Sequence, residues 1–210
     1  MARLISFGCS ITYGQGLSDC FVPPGGGPVP SNYAWPALVS STLGLENINN
    51  GRCASSNQRI LTDIQSFAFD QNDIVAILWS YSSRSMLYSD NTHILDVLPK
   101  FNDAISVYSE DYYRSHNEYD MFMQTAQSIS HANLFMDKKR VTVYNFYFDY
   151  TLHTFLRGYP NSPACSSTLK YIPRNNFRLD YALDNMHPGI KSHELIATII
   201  LNTIKEKYEN

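Results

Sequence analysis

One continuous apolar run limits the possible folds of this 210-residue chain more than any other feature. The segment Ile74–Trp79 reads Ile-Val-Ala-Ile-Leu-Trp, with no polar residue and three β-branched side chains among the six. Such a strand is buried on both faces, as strands are in parallel sheets that helices cover on both sides. The run therefore predicts an α/β fold rather than an all-helical or an all-β one.

Other segments with strand or helix patterns alternate along the chain. The predicted strands cover residues 4–7, 45–48 (followed by an Asn-Asn-Gly turn at 49–51) and 141–148. The predicted helices cover residues 33–43, a segment capped by Ser55 or Ser56, and residues 118–136 and 190–208. Residues 14–31 are rich in Gly and Pro and predict a long loop, while 152–180 predict irregular structure with a short strand near 169–172. The alternation predicts a parallel sheet between two helical layers, in a single domain over residues 1–210.

Composition narrows the possible functions. The net charge of −3 and the pI near 6.0 provide no basic surface for a nucleic-acid backbone, so we expect no nucleic-acid partner. No apolar run is long enough for a membrane span or for a cleaved signal peptide, so we expect a soluble protein that is cytoplasmic or associated with a virus particle. The four cysteines show no Cys-x-x-Cys spacing, and the histidines show no ligand spacing, so we expect no metal and no cofactor.

Polar residues follow three of the predicted strands. Ser10 follows the first strand, residues 54–57 follow the second, and residues 80–82 follow the third. The carboxyl ends of parallel strands meet at one edge of the sheet, where ligands bind in this class of fold. The sequence therefore predicts a site at that edge.

Ser10, Asp184 and His187 have the residue types of a nucleophile, an orienting carboxylate and a base. Ser10 lies in a strand-to-helix turn between two glycines, and His187 precedes Pro188 just before the last helix. A serine hydroxyl becomes a strong nucleophile when a base removes its proton and a third group orients that base. Taken singly, Ser10 could be a helix cap and His187 a solvated loop residue. Their order, at these two element boundaries, favours a catalytic triad.

The chain resembles the SGNH (GDSL-type) hydrolases along nearly its whole length. The segment 8–14, Gly-Cys-Ser-Ile-Thr-Tyr-Gly, is similar to the first block of that family in a Gly-Cys-Ser form, and 184–188, Asp-Asn-Met-His-Pro, is similar to the last. The resemblance implies a three-layer α/β/α sandwich with a mainly parallel, flavodoxin-like sheet of five strands. It also implies that Ser10 is the nucleophile, His187 the base and Asp184 its orienting partner, in ester hydrolysis through an acyl-enzyme.

The same resemblance indicates which groups would stabilise the oxyanion. The Ser10 N–H is one, and the second-block glycine aligns with Ala54, or with Gly51 if the loop is shifted. The third block normally supplies an asparagine side chain, but here the strand ends in Trp-Ser-Tyr-Ser. Ser80 or Ser82 is one candidate replacement, and Asn57 is another.

Arg84 is a candidate for binding a substrate carboxylate or sugar hydroxyls, and a structural ion pair is the alternative. We expect a small-molecule or carbohydrate ester as substrate, with a short acyl group such as acetyl. Two alternatives stay open: a weakly active or inactive glycan-binding module on the same scaffold, and an acyltransferase that uses the same triad.

Overall fold

The computed structural model describes residues 2–23, 25–88, 94–97, 112–158, 169–173 and 178–208. The strands within these residues are β1 (Arg3–Gly8), β2 (Phe21–Val22), β3 (Gly25–Gly26), β4 (Glu46–Gly51), β5 (Ile74–Trp79), β6 (Ser85–Tyr88), β7 (Ile94–Val97), β8 (Thr142–Tyr147) and β9 (Leu169–Tyr171). The helices are α1 (Ser10–Tyr13), α2 (Trp35–Leu43), α3 (Asn57–Ser66), α4 (Glu118–Lys139), α5 (Tyr150–Gly158) and α6 (Ile190–Tyr208).

Five strands form one parallel sheet in the order β4-β1-β5-β8-β9. This is the flavodoxin-like order, in which the direction of strand succession reverses between β1 and β5. The pairs β2–β3 and β6–β7 are small antiparallel ribbons outside this sheet. The predicted parallel sheet of five strands is therefore confirmed.

Helices cover both faces of the sheet. The side chains of β1 alternate between the two faces of the sheet. Ile5 and Phe7 pack with α3, α4 and α5 on one face, whereas Leu4 packs with α2 and α6 on the other. All six residues of β5 are buried, as expected for the central strand of a three-layer sandwich. The predicted α/β/α architecture is confirmed.

The predicted helix ends agree with the capping chemistry. Helix α2 ends at Gly44, which has a left-handed φ of 65°. Ser56 caps α3 by accepting a hydrogen bond from the Arg59 N–H at 3.2 Å. Helix α4 begins with a capping box at Asn117 and extends to Lys139, three residues beyond the predicted end.

Two local predictions were wrong. The segment 49–51 is no turn but the end of β4, because parallel pairing with β1 continues through Phe7↔Asn50 and Gly8↔Gly51. Tertiary pairing here outweighs the turn preference of Asn and Gly. Residues 150–158, placed partly in the irregular segment, form α5, whose first turn is capped by the Asp149 carboxylate through the N–H groups of Thr151 and Leu152.

The rest of the irregular segment is described only in part. The short strand near 169–172 is confirmed as β9, while residues 159–168 and 174–177 lie outside the described residues. Within the parts of the chain that are described, no helix is both long and apolar enough to cross a membrane.

Candidate active site

Ser10 is the first residue of α1 and follows β1 with only Cys9 between them. The connection is tight: a Cβ at Gly8 would lie 2.0 Å from Thr12 Oγ1 and 2.8 Å from the carbonyl oxygen of Leu78. Glycine is therefore required at the end of β1. The turn places Ser10, 3% exposed, at the carboxyl end of β1 beside the point where the strand order reverses.

His187 links Ser10 to Asp184 through its two ring nitrogens. Nε2 lies 3.0 Å from Ser10 Oγ, and Nδ1 lies 2.6 Å from Asp184 Oδ2. The Asp184 side chain is 6% exposed and the His187 side chain 19%. The structure thus brings the three sequence-predicted residues into one hydrogen-bonded chain, with the carboxylate at its buried end.

The environment of Asp184 favours its ionised form. Burial raises the pKa of this carboxyl, but hydrogen bonds from the backbone N–H groups of His187 and Met186 and from the His187 ring lower it more, so that the pKa lies below its ordinary value. An ionised Asp184 can only accept, so the proton on the facing nitrogen is held at Nδ1. Nε2 is then left as the acceptor for the Ser10 hydroxyl proton.

A short closed loop holds Asp184 and His187 in this arrangement. The Ala182 N–H donates to the His187 carbonyl at 2.9 Å, and the Asn185 N–H donates to the Ala182 carbonyl at 3.0 Å. Asn185 adopts a left-handed φ of 56°, a conformation that asparagine tolerates better than most residues. The carboxylate and the imidazole therefore face each other across a turn of four residues, Asp184 to His187.

Asp180 fixes this loop to the helix that follows. Its carboxylate accepts the N–H groups of Lys191 at 3.1 Å and Ser192 at 2.9 Å, and the Ser192 hydroxyl at 2.7 Å. Burial raises the pKa of Asp180, but these bonds and the Lys191 charge outweigh it and lower the pKa overall. Because the first turn of α6 needs acceptors for its free N–H groups, the charge of Asp180 anchors the helix start beside the His187 loop.

Gly16 supports Asp184 from the opposite side, and sequence reasoning missed it. Its carbonyl accepts the Leu183 N–H at 2.9 Å, and its φ is +86°. A Cβ on Gly16 would lie 2.6 Å from both Cγ and Oδ2 of Asp184. The residue belongs to the Gly- and Pro-rich loop, where composition predicts a loop but gives no signal for a contact with Asp184.

A cavity of about 170 Å³ opens beside the Ser10 hydroxyl. The residues that line it are Cys9, Ser10, Ile11, Tyr81, Arg84, Arg178, Met186, His187 and Pro188. The predicted Arg84 is thus placed in the same cavity as Ser10 and His187. Arg178 was missed, because it lies in a loop where no motif surrounds it.

Ala54 adopts the backbone conformation of a glycine. It follows β4 in a turn closed by a hydrogen bond from the Ser55 N–H to the Arg52 carbonyl at 3.3 Å, and its φ is +65°. This left-handed region disfavours alanine and favours glycine. The conformation agrees with the alignment of Ala54 to a glycine position, although Ala54 is not part of the cavity lining.

Three other candidate oxyanion donors have their groups engaged inside the protein. The Gly51 N–H donates to Asn49 Oδ1 at 2.9 Å. The Asn57 amide accepts the Ser80 N–H at 2.7 Å and donates to the Ser80 carbonyl and to Thr125 Oγ1. The Gly51 N–H and the Asn57 side chain thus already have hydrogen-bond partners within the protein, and Asn57 is fully buried.

Ser80 is likewise tied to its neighbours. Its N–H is held by Asn57, and its Oγ accepts a hydrogen bond from Arg84 Nη1 at 3.1 Å. The Ser80 N–H and hydroxyl thus both have partners within the protein, and the fully buried hydroxyl orients Arg84.

A larger cavity of about 760 Å³ lies over the carboxyl end of β4, and its lining includes Tyr13, Gly51 and Cys53. None of Ser10, Asp184 and His187 lines it. Burial raises the pKa of the Cys53 thiol to about 11, so this cysteine stays protonated near neutral pH and is a poor nucleophile. The smaller cavity is the candidate active site, because Ser10 and His187 line it.

Several solved structures are similar to this chain. One is a protein of the G-D-S-L lipolytic family from Desulfitobacterium hafniense, with a TM-score of 0.57, 12% identity, and coverage of 96% of this chain and 98% of that one. A second is an acetyl xylan esterase from Butyrivibrio proteoclasticus, with a TM-score of 0.61, 12% identity, and coverage of 99% and 64%. A third is a family two carbohydrate esterase from Clostridium thermocellum in complex with cellohexaose, with a TM-score of 0.58, 14% identity, and coverage of 99% and 65%.

These likenesses show the fold. The chain has the α/β/α fold of the SGNH (GDSL-type) hydrolases. It spans a little under two thirds of the length of the two carbohydrate esterases. No protein-family model matches the sequence. No curated protein sequence matches it either.

Proposed function

We propose that this protein is a serine ester hydrolase whose nucleophile is Ser10, whose base is His187 and whose orienting carboxylate is Asp184. The hydrogen-bonded chain from Asp184 through His187 to Ser10 Oγ is the observation that carries the proposal. A nucleophile and a base within hydrogen-bond reach, with the base oriented by a third group, have the geometry of acyl transfer.

In the first half of the reaction, Ser10 Oγ attacks the ester carbonyl carbon while His187 Nε2 accepts the hydroxyl proton. Asp184 stabilises the imidazolium that forms. The carbonyl oxygen becomes an oxyanion that the Ser10 N–H stabilises, because an N–H in the first turn of a helix has no intrahelical acceptor. We assign a second donor to the Ala54 N–H.

Collapse of the tetrahedral intermediate breaks the bond to the alcohol, which takes the proton from His187 Nε2. The acyl group remains on Ser10 Oγ. In the second half, a water molecule gives its proton to Nε2 and attacks the acyl carbon. A second collapse releases the carboxylic acid and returns the proton to Ser10.

The cavity beside Ser10 favours a short acyl group. Its volume of about 170 Å³ accommodates an acetyl group and is small for a long aliphatic chain. The structural neighbours include an acetyl xylan esterase and carbohydrate esterases. We therefore assign acetyl esters, in particular O-acetylated carbohydrate, as the substrate class.

Hydrolysis of p-nitrophenyl acetate, butyrate and octanoate by the wild type and by Ser10→Ala tests this proposal. Ser130→Ala is the matched control, because it removes a serine hydroxyl that bonds only within α4. We expect acetate to react fastest, Ser10→Ala to lose roughly a thousandfold or more in kcat/KM, and the control to retain wild-type activity. Turnover that persists in Ser10→Ala would refute the serine mechanism.

One observation favours a second candidate, a glycan-binding module with little turnover. The Asn57 amide is held by Ser80 and Thr125, so no asparagine side chain from this segment is free to stabilise an oxyanion. Losing one such donor costs about 3–4 kcal/mol of transition-state stabilisation. Binding of acetylated oligosaccharides without any hydrolysis by the wild type would support this candidate over the esterase.

A further inference from the structure

Two arginine side chains line the cavity that contains Ser10 and His187. Arg84 donates to Ser80 Oγ at 3.1 Å, and its guanidinium lies 5.3 Å from the ring centre of Tyr81. Arg178 donates to the carbonyl of Met186, and its guanidinium lies 5.2 Å from the ring centre of Tyr181. Each guanidinium is therefore oriented by one hydrogen bond and one aromatic ring.

Neither charge is neutralised within the described part of the chain. Arg84 and Arg178 form no ion pair with a described carboxylate, and the described residues that line the cavity include no Asp or Glu. The Nε–H of Arg178 is buried and has no acceptor among the described residues, which do not include 174–177. Because both guanidinium side chains line the cavity, their charge is available to an acidic ligand there.

The local charge contrasts with that of the whole protein. The chain carries a net charge of −3, yet its catalytic cavity presents two guanidinium groups. Guanidinium groups match carboxylates through paired N–H donors, and a low-dielectric cavity strengthens such contacts. An uncharged ester would leave both groups without a counter-charge.

We propose that the ester substrate of this site carries a carboxylate, which Arg84 and Arg178 bind next to the scissile ester. This inference rests on the proposed esterase function. An acetyl group carries no ionisable group, so the carboxylate must belong to the alcohol part of the ester. The substrate class is therefore O-acetylated acidic sugars, such as those of uronic or sialic acid type, rather than neutral ones.

A pair of matched esters separates this inference from simple ester hydrolysis. The pair consists of 4-acetoxybenzoate, whose leaving group carries a carboxylate, and 4-acetoxybenzamide, its neutral counterpart. The two esters differ in intrinsic reactivity, but that difference is the same for every enzyme variant. Comparing the ratio of the two kcat/KM values between variants therefore isolates recognition of the charge.

The variants are Arg84→Gln and Arg178→Gln, with the charge-retaining Arg84→Lys and Arg178→Lys beside them. Arg157→Gln is the matched control, because it removes the same charge from an exposed position on α5. We expect each Gln variant to lower the anionic-to-neutral ratio about ten- to a hundredfold, as loss of a charge-assisted hydrogen bond does. The Lys variants restore part of the ratio, and the control leaves it at the wild-type value.

Several results would overturn the inference while leaving the esterase function intact. One is a wild-type ratio that does not change in either Gln variant. Another is an equal loss on both esters in Arg84→Gln, which would assign Arg84 to the oxyanion instead. A third is a fall of the anionic-to-neutral ratio in Arg157→Gln as large as the fall in the cavity variants. The preference for the carboxylate would then arise from long-range attraction and not from binding in the cavity.

A binding experiment distinguishes failure of the esterase proposal from failure of the carboxylate inference. Calorimetric titration of the wild type with 4-acetamidobenzoate and 4-acetamidobenzamide, amide analogues of the same pair, measures recognition of the carboxylate without turnover. Tighter binding of the carboxylate that is lost in Arg178→Gln supports the inference whether or not any ester is hydrolysed. Equal affinity for the two amides refutes it.

Discussion

Gly16→Ala tests whether the position of Asp184 controls activity, although Gly16 touches no substrate. The added Cβ would lie 2.6 Å from Oδ2 and Cγ of Asp184, whereas ordinary contact begins at 3.4 Å. The carboxylate must therefore move by about 0.8 Å. Because Oδ2 is the atom that accepts from His187 Nδ1 at 2.6 Å, a shift of this size away from His187 lengthens that bond to about 3.4 Å, longer than a normal hydrogen bond.

A misplacement of about 1 Å in catalytic geometry costs on the order of a hundredfold in rate. We therefore expect the kcat/KM of Gly16→Ala on p-nitrophenyl acetate to fall about a hundredfold, mainly through kcat. Forcing alanine into the left-handed region also costs about 1 kcal/mol of folding free energy, measured by urea unfolding.

Gly44→Ala is the matched control for this experiment. Gly44 also has a positive φ, 65°, but a Cβ there would meet no atom within 4 Å. The control should lose about the same 1 kcal/mol of stability and keep wild-type kcat/KM. Unchanged activity in Gly16→Ala, or an equal loss of activity in both variants, would refute the argument that Gly16 positions Asp184.

Two further predictions concern buried polar groups. Burial lowers the pKa of His193 to about 4 from 6.5, so the unfolded chain binds a proton that the folded chain does not, and stability falls as the pH falls through this window. In urea unfolding, the free energy of unfolding of the wild type should fall by about 3 kcal/mol between pH 6.5 and 4, and His193→Gln should largely abolish this fall. A fall of the same size in the variant would contradict the assignment to His193. Asn57→Ala leaves the Ser80 N–H buried without a partner, so it should cost about 2–4 kcal/mol in the same assay, whereas Asn202→Ala on the exposed face of α6 should cost less than about 0.5 kcal/mol.

The architecture was predictable from short stretches of sequence. The apolar run of β5, the Ser56 cap of α3 and the glycine at the end of α2 are all local signals, and each is found as predicted. The end of β4 was not predictable, because Asn and Gly prefer turns unless a neighbouring strand supplies partners for their backbone groups. That partner, β1, lies about forty residues away in sequence.

The candidate site divides in the same way. The types and order of Ser10, Asp184 and His187 identified them in the sequence, because the chemistry of acyl transfer needs those groups beside element ends. Their catalytic roles remain our proposal. The groups that could stabilise an oxyanion were not predictable in this way, because residue type alone does not show whether an N–H already has a partner. The partner of the Gly51 N–H is the side chain of Asn49, and the partner of the Asn57 amide is the end of β5.

The sequence by itself determined most strands of the sheet and most of the covering helices, though not α5 or the end of β4, and it determined which residues have the chemistry of a triad, because periodicity, caps and side-chain types act within a few residues. The tertiary structure alone decided which polar groups are already satisfied, that Gly16 supports Asp184, and that Arg178 joins Arg84 beside Ser10. Most of these contacts, such as those of Gly16 with Asp184 and of Asn57 with Ser80, join segments that are distant in sequence. They form only once the sheet and its helices bring the segments together.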